Sequence, residues 1–150
     1  MKYLIKSWMS LFLFVLPVQA EMVLTEFTKG RVELVEQKKS YQVEVAQTQA
    51  QRALGLMHRS VLPLDTGMLF IYDKTSVKGV WMRNTLIALD VLFLSEDGVI
   101  IDMMPHLKPC EAMPCPVYES LKPARYMLEL NAGEIEKQKI KTGQQMLFFL

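Results

Sequence analysis

The run Trp81-Met82-Arg83-Asn84-Thr85, followed by Leu86 to Leu94 with Asp90 in its middle, is where this chain concentrates chemistry. It sets an indole, a guanidinium, an amide, a hydroxyl and a carboxylate in a stretch otherwise built to be buried. A buried polar group must be hydrogen-bonded or cost about 1 to 3 kcal/mol, so this density of them marks a candidate polar site. A planar guanidinium pairs well with a carboxylate or phosphate. Trp81, Arg83, Asn84 and Asp90 are therefore candidate ligand-binding residues, with Arg52 and Arg59 from a neighbouring helix end. If a strand runs through the motif, Trp81 and Arg83 share one face and Met82 and Asn84 the other. The structural alternative is a tryptophan at the edge of the core beside a salt bridge from Arg83 to Asp90 or Glu129.

Asp90 and Glu129 are also the candidates for catalysis, because two carboxyl groups across a pocket can divide general acid and base work. Glu129 alternates with Leu128 and Leu130 and so lies on the opposite strand face, with Arg125 and Asn131. The competing reading pairs each carboxylate with one of Arg52, Arg59, Arg83 or Arg125 to hold the fold. No nucleophile elbow, zinc-protease helix, phosphate loop or dinucleotide fingerprint is present, and neither His58 nor His106 has a serine at a telling spacing, which disfavours a conventional hydrolase. Eleven methionines raise copper(I) capture by Met103, Met104, His106 and Met113 as a further alternative. Methionine is more commonly an adaptable core filler, and there is no repeated Met-x-x-Met run.

Cys110 and Cys115 lie among three prolines, Pro109, Pro114 and Pro116. In an exported chain such a pair is most simply a disulfide closing a tight loop, worth only about 2 kcal/mol because the loop is short. Adding His106 makes a His-x3-Cys-x4-Cys array with three metal ligands. The missing fourth ligand and an oxidising compartment weigh against it, and no metal or cofactor is expected.

Positioning these residues requires mainly strands. Val32 and Leu34, then Tyr41, Val43 and Val45, alternate with polar residues, the period of half-buried strands. Thr48 to Gln51 matches a capping box, and Ala50, Ala53, Leu54 and Met57 then predict an amphipathic helix of about three turns. Further strands are predicted at 68–72, 77–82, 91–94, 99–103, 126–130 and 146–150, with Asp97-Gly98 as a hairpin turn between two of them. A proline-rich connection from Met104 to Pro123 interrupts the series. The reading is an α+β, β-rich domain: a small barrel or strongly curved sheet with one main amphipathic helix.

Residues 1–20 read as an export signal, with Lys2 and Lys6, the apolar run Leu11 to Leu16 and Val18-Gln19-Ala20. The run is shorter than the roughly 18 to 20 residues that span a bilayer, so no membrane span is expected after its removal, and residues 21–150 form a single β-rich domain in the periplasm or outside the cell. Net charge is +1 with no Lys/Arg stripe, which argues against a nucleic-acid partner.

Several segments together carry a resemblance: Arg52-Ala53-Leu54-Gly55-Leu56-Met57-His58-Arg59, Gly67-Met68-Leu69-Phe70, the 81–85 motif with Leu89-Asp90, Pro109-Cys110 with Cys115 and Tyr118, and Tyr126-Met127-Leu128-Glu129 with Ala132-Gly133. In this order they resemble the family known as domain of unknown function 192, small prokaryotic proteins often made with an export signal. The resemblance implies a compact β-rich domain and no particular activity. The chain departs from the family at Gly143-Gln144, where members usually have an acidic residue after the glycine, so that position is left out of the candidate site.

The sequence therefore points to a non-enzymatic exported domain that binds a small polar ligand or a cell-envelope partner. The alternatives are an enzyme acting on an envelope polymer through paired carboxylates and a copper-binding periplasmic protein. Processing after Ala20 predicts a mature N-terminus at Glu21; intact-mass measurement of exported protein that still carries residues 1–20 would refute it.

Overall fold

A computed structural model describes residues 26–150, and the expected export signal at 1–20 lies outside the described residues. The two alternating segments form the antiparallel pair β1 (Thr28–Leu34) and β2 (Lys39–Ala46), with Val32 opposite Tyr41. Thr48 caps α1 (Gln49–Leu54): its hydroxyl accepts from the Gln51 amide at 3.2 Å, and the Gln51 side chain accepts from the Thr48 amide at 2.9 Å. The helix is only six residues long, against the three turns expected. It stops at Gly55, whose φ of 49° is a left-handed value that side chains resist. A Cβ there would lie 3.3 Å from the Phe70 ring, so the glycine also permits close packing. Leu56 then turns into the core instead of extending the helix.

The chain continues through β3 (Thr66–Ser76), β4 (Gly79–Trp81), β5 (Leu89–Leu94), β6 (Ile100–Leu107), β7 (Val117–Glu119), β8 (Ala124–Asn131), the short α2 (Glu134–Lys137) and β9 (Met146–Phe149). Seven strands form one sheet in the order β6-β5-β8-β3-β2-β1-β9, in which only β2 and β3 run parallel. That parallel pair needs a crossover connection, supplied by α1 and the loop after it. The sheet curls until its edges touch: Val99 bridges to Gln145, the Ile100 amide donates to the Gln144 carbonyl at 2.9 Å, and the Met146 amide to the Gly98 carbonyl at 2.9 Å. The result is a half-barrel, the strongly curved sheet that the strand pattern predicts.

The connection from Met104 to Pro123 is more ordered than expected. β6 runs on to Leu107, and Val117–Glu119 pairs with Gly79–Trp81 as a two-stranded ribbon. Between them a Cys110–Cys115 disulfide closes a tight loop, and the Cys110 amide donates to the Met82 carbonyl at 3.2 Å.

The sheet is buried on both faces at its centre, in β5 and the adjoining parts of β3 and β8, whereas β1, β2 and β9 bury one face. Inside the curl Val32, Leu34, Tyr41, Val43, Leu92, Leu128 and Leu130 form one core; outside it Met68, Phe70, Val91, Phe93 and Met127 form a second, covered by Leu56, Val80 and Met82. β5 is buried at every residue, which explains its unbroken apolar run. Its exception, Asp90, is fully buried on the inner face. One carboxyl oxygen accepts from the His106 amide at 2.8 Å, the other from the amides of Gly133 at 3.0 Å and Ile135 at 2.7 Å. No arginine is involved. Asp90 thus ties β5 to the end of β6 and to the start of α2.

Replacing Asp90 with alanine leaves three partly buried N–H donors without their acceptor, at about 1 kcal/mol or more each. Asp90→Ala is expected to cost about 3 kcal/mol or more, read as a large fall in the urea midpoint; a midpoint close to that of the wild type would show that the carboxylate does not hold these elements.

Candidate functional site

On the outer face a cleft opens between α1 with its following turn and the β4 ribbon, and the sheet forms its floor. Its cavity is ≈80 Å³, lined by Arg52, Gly55, Tyr72, Trp81, Thr85 and Glu129 together with apolar side chains including Phe70 and Met127. Glu129 reaches this floor because β8 pairs it with Met68 of β3 and Val91 of β5, both outer-face residues. It is 5% exposed, and among the described residues nothing hydrogen-bonds its carboxyl. Burial without a compensating partner pushes this group up to about 8. Tyr72 reaches the same face by alternation from Met68 and Phe70; burial and then the nearby Glu129 push its hydroxyl up to about 12.

Arg52 stands in the wall. Its guanidinium donates to the carbonyls of Gln47 at 2.5 Å and Ile71 at 2.9 Å, lies 3.8 Å from the exposed Asp73 carboxylate and sits 5.4 Å from the Tyr72 ring. Both hydrogen bonds come from Nη1, while Nη2 faces Asp73. Trp81, 42% exposed, forms the rim, and the Arg83 guanidinium lies 5.4 Å from its ring. The strand stops at Trp81, and Asn84 adopts a left-handed φ of 54°, so the predicted alternation of faces does not extend through the motif. The Asn84 carbonyl accepts from the His58 amide at 2.8 Å, fastening the turn after α1 to the 81–85 segment.

The predicted ligand residues divide among separate places. Arg52, Trp81 and Glu129 meet in the cleft. Arg83 and Asn84 line a shallow hollow of ≈210 Å³ beside the disulfide loop. Arg59 pairs with Glu44 beside a cavity of ≈260 Å³ on the β2–β3 side of the sheet. That cavity is the larger one, yet the charges of its ion pair satisfy each other, whereas the cleft holds a carboxyl that has no protein hydrogen-bond partner among the described residues and opens only to the cleft. Asp90 faces the inner core: it lies opposite Leu130, while its neighbour Val91 lies opposite Glu129. The sheet therefore stands between the two carboxyl groups.

Met103 and Met104 pack into opposite cores, Met113 is exposed in the loop, and the His106 ring nitrogen Nε2 is near Gly133. This copper grouping does not converge. The cysteines are bonded to each other, which leaves no thiolate for the His106 array. Sequence reasoning did not find Tyr72, Thr85 or Gly55 as cleft residues; the period-two series Met68, Phe70, Tyr72 was the available signal for the first of these.

Fold and cleft together define a small, curled-sheet, β-rich domain with one buried acidic group open to a concave surface. The chain belongs to the domain of unknown function 192 family, described as an uncharacterized ACR, whose family model matches residues 32–148. It is 32% identical over 126 residues to the UPF0127 protein PF1050 of Pyrococcus furiosus, covering 79% of this chain and 91% of the relative. Among solved structures it is similar to a candidate transcription regulator of Sinorhizobium meliloti 1021, with 32% identity and a TM-score of 0.74 over 83% of this chain and 97% of the other. It is also similar to a protein of unknown function from Novosphingobium aromaticivorans DSM 12444, with 27% identity and a TM-score of 0.72 over 81% and 84% of the two chains.

The buried carboxyl has a pH signature. Below its ordinary value of 4.5 Glu129 is protonated in folded and unfolded chains alike; between there and about 8 only the folded chain retains the proton. Ionising it in the fold is unfavourable, so stability is expected to fall as pH rises through this window, by on the order of a few kcal/mol, and then to level off. Urea melts of wild type and Glu129→Gln at about pH 5 and about pH 8 test this: the wild type loses stability relative to the variant, and parallel pH dependence would refute it.

Proposed function

We propose that this protein is an exported domain, resident in the periplasm or outside the cell, that binds a small polar ligand in the cleft of Arg52, Trp81 and Glu129 without transforming it. The observation that carries the reading is the Glu129 carboxyl, buried and unbonded among the described residues at the floor of a concave site. Such a group costs stability, and a concave site with a few polar groups and a perturbed carboxyl is the physical form of a ligand site. Trp81 at the rim supplies a stacking surface beside it. An enzyme working through Asp90 and Glu129 is the less favoured reading, because these carboxyls occupy opposite faces of one sheet. Copper binding lacks converging thioethers.

The Sinorhizobium relative is described as a regulator of transcription; this chain, with a net charge of +1, has no basic stripe to follow a phosphate backbone. Export rests on the residue pattern at 1–20. Among the described residues no helix is long and apolar enough to cross a membrane.

Of the two tryptophans, Trp8 lies in the segment that export is expected to remove, so in the processed chain the intrinsic fluorescence of Trp81 reports on the cleft. A panel of small polar compounds is expected to contain one that changes this fluorescence saturably and stabilises the fold by about 2.7 kcal/mol at a hundred times its Kd. Both effects should be lost in Glu129→Gln, and the ligand-induced stabilisation should be lost in Trp81→Ala, which removes the fluorophore itself. Binding that survives both substitutions would place the site elsewhere.

A further inference from the structure

We propose that the ligand of this cleft carries an organic ammonium group, a primary amine on a short alkyl chain, with its cationic head seated at Glu129 and the first methylenes against Trp81. The proposal rests on the reading of the cleft as a ligand site and names the chemistry of its occupant.

The floor of the cleft offers one unsatisfied group, and it is acidic. Facing Glu129 across the sheet are Met68 from β3 and Val91 from β5, both fully buried and apolar. Neither supplies a proton donor or a counter-charge. The titratable neighbour is Tyr72, whose phenol interacts with the Glu129 charge. An incoming cation would provide the countercharge that the fold does not, and in a site shielded from water such a pair is strong. The Trp81 indole adds the negative face of an aromatic ring, which attracts cations.

The fixed cations near the cleft are arranged so as not to fill this role. Arg52 is anchored through Nη1 to the Gln47 and Ile71 carbonyls and faces Asp73 with Nη2, which holds it in the wall. Lys78, with its Nζ 4.3 Å from the Tyr72 ring, donates to the Lys74 carbonyl and the Ser76 hydroxyl. Burial, then Arg52 and Arg125, hold the Lys78 ammonium below its ordinary value. These charges disfavour a second cation on the Tyr72 side. On the other side Arg83 lies 5.4 Å from the Trp81 ring at the rim, so Trp81 is left to pack against the methylenes while the ammonium is drawn to Glu129. The cavity, ≈80 Å³, suits the end of an aminoalkyl chain and not a bulky ring system. An anionic ligand would be repelled by Glu129 once that carboxyl ionises, and the Asp73 carboxylate, 3.8 Å from the Arg52 guanidinium, offsets part of the attraction that this arginine offers.

Binding is then an exchange. In the empty cleft near neutral pH Glu129 is mostly protonated; as the ammonium enters, the carboxyl ionises and its proton passes to solvent. One cation enters for each proton that leaves, and no covalent bond changes in the ligand. Affinity should therefore rise about tenfold per pH unit below about pH 8 and level off above it, until the amine itself loses its proton.

The test uses n-butylammonium, butyrate and butyramide with the processed chain beginning at Glu21, followed by Trp81 fluorescence and by calorimetry in two buffers of different ionisation enthalpy. Butylammonium alone is expected to bind, with release of close to one proton near pH 6, and Glu129→Gln should weaken it about tenfold or more. Glutamine is isosteric and stays neutral, so the variant keeps the fold. Glu129-dependent binding of butyrate or butyramide in place of the amine would overturn the ammonium assignment and leave the polar-ligand reading standing. If none of the three probes perturbs Trp81, or if binding is indifferent to Glu129, both fall.

Discussion

The constraint on which this structure depends is that the centre of its sheet, β5 with the adjoining parts of β3 and β8, is buried on both faces. β5 has no exposed residue, so every polar group it or its neighbours carry must be satisfied inside the protein or directed into an internal opening. Curling solves the inner face, where the strands close on one another and bury Leu92, Leu128 and Leu130. The outer face cannot be closed the same way. It is covered piecemeal by the turn after α1 and by the β4–β7 ribbon, and the cleft is the seam between those two covers.

Asp90 and Glu129, two of the four buried acidic residues among those described, show how differently one functional group can be treated. Asp90 receives three backbone N–H donors, each contact being of the charge-assisted kind that makes up for lost hydration. It behaves as a knot between β5, β6 and α2. Glu129, one strand away on the other face, receives none among the described residues, and its proton is held to about pH 8 by burial. An unsatisfied carboxyl in a core is normally replaced by something apolar because it costs stability. Its presence beside a cavity is what gives the site its functional reading.

The covers are positioned by short local devices. Gly55 ends α1 early and lets the backbone approach Phe70, which brings Arg52 and Trp81 to opposite sides of the cleft. The Met82 carbonyl holds the Cys110 amide, so the disulfide loop braces the strand that presents Trp81. Arg83 and Asn84, prominent in the sequence motif, serve this bracing more directly than they serve the cleft: Asn84 accepts from His58, and Arg83 lies along Trp81 at the rim.

The sequence by itself determined what depends on neighbours along the chain: the strand alternation of β1 and β2, the Thr48–Gln51 capping box, the Asp97-Gly98 hairpin, and the opposition of Glu129 to Leu128 and Leu130. These follow from the two-residue strand period and from hydrogen bonds that close within a few residues. Tertiary structure decided the rest. Whether Asp90 and Glu129 share a pocket turns on one position of register between β5 and β8, and a shift by one residue exchanges the two faces of a strand. The three-residue β7 is too short to carry a periodic signal and exists only because Gly79–Trp81 lies beside it. The early end of α1 depends on where Phe70 packs, a contact 15 residues away in sequence. Which carboxyl is satisfied and which is left open to a cavity is settled by strands that meet only in the folded sheet.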